Sequence, residues 1–247
     1  MVCMRVPVFG LMLLMLIGCG KKNEFIPARD TAVNNSQTPP VIHPNDSVSY
    51  LALGDSYTYG AGVSQSESYP YQLAAQLSSQ NYLINSPRVV AFQGWTASDL
   101  LAGIKAANVT RKFDLVTLLI GVNDENKGTD FTTYTLQVDQ LITQAIEYAR
   151  GYHSRVFVIS IPDWSVTPFA AGMNRAKIKA DVATFNSINE AESKKLGASY
   201  LDISAISELA ANDATLTAGD GLHPSAKMYA LWINRVYGDI TATFTSN

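Results

Sequence analysis

Ser56, Asp220 and His223 are the residues of this 247-residue chain whose types and spacing best suit covalent chemistry. Ser56 follows Gly54 and Asp55 at the mouth of an apolar run over residues 48–53. A serine hydroxyl attacks a carbonyl only when a base takes its proton, and near neutral pH imidazole is the natural base. The chain has 3 histidines. His43 stands beside Pro44 in a stretch without periodicity, and a mobile linker cannot hold a base in place. His223 closes the sequence Asp220-Gly221-Leu222-His223, so a single turn brings the Asp220 carboxylate to the imidazole, where it orients the second ring nitrogen. An acyl-transfer intermediate also needs donors for its oxyanion. The candidates are the backbone N–H groups of Ser56 and Gly94 and the side-chain amide of Asn123. Each residue has a plainer reading as well. Gly-Asp-Ser and Asn123 both suit turns, and a histidine before proline can cap a helix. The two readings separate on whether the fold brings these residues together.

The elements that would do so are visible as a pattern. Short apolar runs at residues 48–53, 88–92, 114–120, 155–161 and 198–203 alternate with helical periodicity at 69–77, 97–107, 131–150 and 175–196, and a last helix opens at Pro224. Strands alternating with helices predict an α/β domain, with a five-stranded parallel sheet covered on both faces in a three-layer α/β/α sandwich. Ligands in such sheets bind beyond the carboxyl ends of the strands. The first four runs end in Gly54-Asp55-Ser56, Gln93-Gly94-Trp95, Gly121-Val122-Asn123-Asp124 and Pro162-Asp163-Trp164; the fifth leads, after a connection, to Asp220 and His223. One edge of the sheet therefore collects every candidate. His153, between a helix and the strand that follows it, falls on the opposite edge.

Taken in order, Gly54-Asp55-Ser56, Gly94, Gly121-Val122-Asn123-Asp124 and Asp220-x-x-His223 resemble the sequence blocks of the SGNH, or GDSL, hydrolase family. The resemblance runs from Gly54 to His223. It implies a flavodoxin-like fold, a catalytic triad of Ser56, His223 and Asp220, and an oxyanion hole of Ser56, Gly94 and Asn123. It also implies esterase, lipase or carbohydrate-deacetylase activity. The chain departs from the pattern at Tyr57, where the family's name carries Leu, and places Trp95 after Gly94. Asp55 and Asp124 read as residues that hold loops in shape. The loop over 162–173 contains Trp164 and Phe169; with Trp95 these are candidates for the substrate pocket, although packing over the sheet edge explains the loop equally well. Without a long insertion to form a lid, short acyl or acetyl esters are the expected substrates. Longer acyl chains, as for a lysophospholipase or thioesterase, are the alternative within enzymes, and a non-catalytic surface binding module is the alternative outside them. Asp124-x-Asn126 begins like a calcium loop, but Gly128 and Thr129 break that pattern, and neither a metal nor a cofactor is expected.

The remaining features concern targeting and partners. Arg5 precedes an apolar run over residues 6–17, too short for a comfortable membrane span and shaped like an export signal. Its end, Leu16-Ile17-Gly18-Cys19, resembles a bacterial lipobox, which implies removal of residues 1–18 and lipidation of Cys19. Residues 19–47, with Asn34-Asn35-Ser36 and Pro39-Pro40, read as a flexible tether from a membrane anchor to a domain over 48–247. Gly20 after Cys19 suits sorting to an outer membrane or cell surface. The formal net charge is -3 with no basic block, which gives no footprint for nucleic acid.

Overall fold

Five of the apolar runs become the strands of one parallel sheet: β1 (Tyr50–Gly54), β2 (Arg88–Ala91), β3 (Leu115–Leu119), β4 (Val156–Ile159) and β5 (Ser199–Leu201). The structure, a computed structural model, describes residues 38–245 and Val2; apart from Val2, the expected signal segment, Cys19 and the tether as far as residue 37 lie outside the described residues. The strand order is β2-β1-β3-β4-β5, all parallel. Every residue of β1, β3 and β4 is buried, which is why these strands read as continuous apolar runs rather than alternating ones. The two edge strands break the pattern: in β2 Arg88 is exposed and Val90 buried, and in β5 Ser199 and Tyr200 are partly exposed and Leu201 buried.

The order explains the layers. The chain leaves β1 for β2 on one side, then returns past β1 to β3 and continues outward to β5. Right-handed crossovers in opposite directions put their helices on opposite faces. Helix α1 is the single turn Ser56–Tyr59. Helices α2 (Tyr69–Ser79) and α8 (Ala226–Thr245) pack together on one face. On the other, α3 (Ala97–Ala107), α5 (Phe131–Tyr148) and α6 (Arg175–Leu196) pack side by side. Two further short helices, α4 (Val122–Lys127) and α7 (Ser204–Ser207), lie beyond strand ends. Reversal of direction between β1 and its neighbours opens a crevice at the carboxyl edge beside β1, where ligands bind in folds of this class. This is the expected three-layer α/β/α sandwich with its flavodoxin-like sheet.

Two boundaries differ from the sequence reading. The last helix starts at Ala226 rather than Pro224. Pro224 is buried in an antiparallel bridge with Thr217, and the Ser225 hydroxyl accepts the Met228 N–H at 3.2 Å, so the helix is capped one residue later than the proline. The folded unit also begins before residue 48, within the stretch read as tether. Ile42 is buried and donates its N–H to the Phe244 carbonyl at 2.8 Å, Arg155 donates to the Pro40 carbonyl at 2.6 Å, and Ser47–Val48 pairs in parallel with Leu83–Ile84. Residues 40–47 thus belong to the folded unit. An apolar residue and a few backbone hydrogen bonds are enough to seat a segment that periodicity alone cannot place.

Candidate active site

Ser56 is the first residue of α1, delivered straight from β1 and 6% exposed. Asp55 caps this turn through Oδ1, which accepts the Tyr57 N–H at 3.0 Å, and Gly60, at φ +88°, ends it. Gly54 is required by close approach: a Cβ there would stand 2.1 Å from Thr58 Oγ1 and 2.3 Å from the Leu119 carbonyl oxygen. The first block is therefore a strand, a tight helical turn and a hydroxyl at the mouth of the crevice.

His223 and Asp220 meet it from the loop before α8. His223 Nε2 lies 3.0 Å from Ser56 Oγ, and Nδ1 lies 2.7 Å from Asp220 Oδ2. Asp220 Oδ1 accepts the N–H groups of Leu222 at 2.9 Å and His223 at 3.0 Å. Gly221 sits at φ +76°, the left-handed conformation that lets the loop fold back on itself. Partial burial raises the Asp220 carboxyl pKa, but these three hydrogen bonds outweigh it and hold the group below the ordinary carboxylate range. As an ionised acceptor, Asp220 fixes the proton on Nδ1 and leaves Nε2 free to accept from Ser56. Tyr57, where the chain departs from the family pattern, sets its ring edge-on to His223 at 5.6 Å and lines the pocket.

The loops after β2 and β3 are joined at three points. Asn123 Nδ2 donates to the Trp95 carbonyl at 2.9 Å, Asp124 Oδ2 accepts the Ala97 N–H at 2.8 Å, and Lys127 Nζ donates to the Gly94 carbonyl at 3.1 Å. These bonds hold Gly94 and Asn123 on the same pocket as Ser56 and His223. Gly94 is required by its backbone, at φ +78°, and not by crowding, since a Cβ there would meet nothing within 4 Å among the described residues. Asn123 keeps a second amide hydrogen beyond the one given to Trp95.

The pocket encloses about 220 Å³. Trp164 and Phe169 line it, their rings 6.2 Å apart. Trp164 is buried and fixed by a hydrogen bond from Nε1 to Glu125 Oε2 at 3.0 Å, whereas Phe169 is half exposed at the rim. Trp95 does not line the pocket. The left-handed turn at Gly94 sends its ring back over α3, where it fills the space against Gly103 and contacts Phe92, so only its carbonyl serves the site. Sequence reasoning missed Gln93, Val122, Asn126 and Leu222, which line the pocket, and Glu125, which holds Trp164. Gln93, Val122 and Leu222 adjoin named site residues, a signal that was available; nothing in the sequence couples Glu125 to Trp164.

Asp55 and Asp124 are buried behind this surface. Burial pushes the Asp55 carboxyl up to about 8, with the Tyr57 N–H opposing and Asp124 adding to the rise. Burial likewise lifts Asp124 to about 6. A folded-state value above the unfolded 3.8 means that folded Asp55 keeps a proton which the unfolded chain releases. Its contribution to stability is therefore full below about pH 4 and is lost as pH rises towards about 8. Asp55→Asn is expected to flatten the fall in unfolding free energy over that range, measured by urea unfolding at a series of pH values. An unchanged slope would show that Asp55 is ionised in the folded protein.

Residues 52–231 match the GDSL-like Lipase/Acylhydrolase family model. Solved structures of similar fold include psychrotrophic esterase EstA from Pseudoalteromonas sp. (19% identity, TM-score 0.59, covering 80% of this chain and 97% of that one). Phospholipase A1 from Streptomyces albidoflavus NA297 is 24% identical at TM-score 0.58, covering 76% and 98% of the two chains. A mutant of Axe2, an acetyl-xylooligosaccharide esterase from Geobacillus Stearmophilus, is 15% identical at TM-score 0.62, covering 85% and 100%. No curated protein sequence matches the chain. With four matching sequence blocks gathered at one sheet edge and a family match over most of the domain, the chain belongs to the GDSL-like lipase/acylhydrolase family and is an ester hydrolase.

Proposed function

We propose that the protein is a serine esterase acting on short acyl or acetyl esters, with Ser56 as nucleophile, His223 as general base and Asp220 as the residue that orients it. The observation that carries this reading is the unbroken line from Asp220 Oδ2 through the imidazole to Ser56 Oγ, at 2.7 and 3.0 Å, opening on the pocket. His223 Nε2 takes the Ser56 proton as Oγ attacks the ester carbonyl. The displaced electron pair goes to the carbonyl oxygen, which the N–H groups of Ser56 and Gly94 and the free amide hydrogen of Asn123 receive. Collapse expels the alkoxide, and His223 protonates it. Water, activated by the same imidazole, then releases the acid from Ser56.

Pocket size supports short acyl groups. At about 220 Å³ it is below the range of roughly 300–1,000 Å³ that holds drug-sized ligands, and a buried, hydrogen-bonded Trp164 closes its inner wall. The solved structures of like fold include an esterase, an acetyl-xylooligosaccharide esterase and a phospholipase A1, so acyl length is the discriminating variable. A panel of p-nitrophenyl esters is expected to give the highest kcat/KM for acetyl or butyryl and a fall of at least about tenfold by palmitoyl. A maximum at octanoyl or longer would favour the lysophospholipase or thioesterase reading, in which Phe169 swings outward to lengthen the pocket.

A further inference from the structure

The sheet order places an open aromatic strip beside Ser56, on the side away from the apolar wall. Ser56 follows β1. On one side β3 and β4 deliver Asn123 and Trp164 in turn; on the other, the edge strand β2 runs into Phe92, Gln93 and Gly94. Gln93 and Gly94 line the pocket. Phe92, next to them, is 54% exposed, and Tyr59, at the end of the turn that Ser56 begins, is 46% exposed. Their rings meet edge to face at 5.9 Å, and Phe92 continues to Trp95 at 6.0 Å. Beside them Tyr59, Tyr71 and Gln65 line a second cleft of about 470 Å³.

Single exposed aromatic residues are ordinary on a protein surface, but a contiguous group at the mouth of a reaction pocket is a feature of binding surfaces. The strip joins flat apolar rings to neutral polar groups: the phenols of Tyr59 and Tyr71 and the amides of Gln65 and Gln93. Among the described residues, neither cleft is lined by Lys, Arg, Asp or Glu. A phosphate-bearing headgroup would find no cation among these lining residues. A long acyl chain would cover the amides without pairing them, at a cost. A sugar chain meets both demands, because its C–H faces rest on aromatic rings while its hydroxyls exchange hydrogen bonds with amides and phenols.

The geometry points to a binding strip for the oligosaccharide that carries the ester: the acetyl group enters the pocket between Asn123 and Trp164, and the sugar rings lie over Phe92 and Tyr59. This inference rests on the esterase reading and adds the chemistry of the alcohol half of the substrate. Both rings are exposed, so their removal leaves the core intact. The Tyr59→Ala/Phe92→Ala double variant is expected to raise KM for O-acetylated oligosaccharides, tested as a panel derived from xylan, cellulose and chitin, by about tenfold with kcat unchanged. Its kcat/KM on p-nitrophenyl acetate should stay within about twofold of wild type. The Phe92→Tyr variant, which keeps both rings and the Tyr59 phenol, should retain the wild-type KM. An unchanged KM in the alanine double variant would overturn the strip. So would a wild-type enzyme that hydrolyses p-nitrophenyl acetate but none of the acetylated oligosaccharides. A loss confined to long-acyl esters presented on phosphatidylglycerol vesicles would overturn it in favour of a lipid-facing surface. Failure of wild type on p-nitrophenyl acetate would overturn the esterase reading itself.

Discussion

Ser56→Ala is expected to lower kcat on p-nitrophenyl acetate by about 10⁶ while leaving thermal stability unchanged. The size of the loss follows from what remains. The variant keeps the Ser56 backbone N–H, Gly94 and Asn123, so oxyanion donors and binding persist, but no atom is left to form the acyl intermediate. Stability is spared because the hydroxyl does little for the fold. The cap of α1 is Asp55, whose Oδ1 holds the Tyr57 N–H, and the turn is closed by Gly60 donating to the Ser56 carbonyl, which alanine retains. The one hydrogen bond that disappears is that with His223 Nε2, a nitrogen that faces the pocket and can pair with water instead. An organophosphonate should accordingly label wild type at Ser56 and leave the variant unlabelled, with both proteins melting together. Residual turnover within about a hundredfold of wild type would remove Ser56 from the nucleophile's role. Equal melting matters as much as lost activity, since a turn that unfolded without the hydroxyl would produce the same kinetics for a different reason.

The architecture was legible because its physics is local. Strands β1, β3 and β4 are buried on both faces, so their sequences are apolar without interruption, and α3 and α6 present clean stop and start signals, such as the Thr96 and Asp99 capping box and Gly197 at φ +74°. Convergence of Ser56, Gly94 and Asn123 followed from parallel topology, because every strand of such a sheet ends at the same edge; Asp220 and His223 return to that edge through the connection after β5, and it was their Asp-x-x-His spacing that marked them. What was not legible depends on backbone turns or on contacts between distant residues. Trp95 follows a glycine whose positive φ reverses the chain, and no pattern in the sequence reveals which way the next side chain then points. The Trp164–Glu125 hydrogen bond joins two loops, and Trp164 could equally have been a pocket wall without it. The docking of residues 40–47 depends on one isoleucine and a buried arginine at the far end of the sheet, too sparse a signal to separate from a tether.

Asp220→Asn is expected to lower kcat by about 10⁴ with KM nearly unchanged, and the reason lies in how the carboxylate is shared. Asp220 Oδ1 serves two backbone donors, Leu222 and His223, while Oδ2 serves the imidazole. Asparagine has one acceptor oxygen for these two places. If its oxygen keeps the backbone pair, its NH₂ faces Nδ1, which must then accept; the proton moves to Nε2, and the imidazole donates to Ser56 instead of taking its proton. If the amide flips, its NH₂ faces two backbone N–H groups at about hydrogen-bond distance, two bonds are lost, and the loop that carries His223 loosens. The first arrangement satisfies more groups and should prevail, giving a folded protein with the wrong tautomer. Nitrogen chemical shifts of the imidazole would distinguish the two outcomes, because only the first places the proton on Nε2 in a protein of unchanged melting temperature. A kcat within about tenfold of wild type, with the proton still on Nδ1, would show that the fold of the loop, rather than the Asp220 charge, sets the orientation of His223.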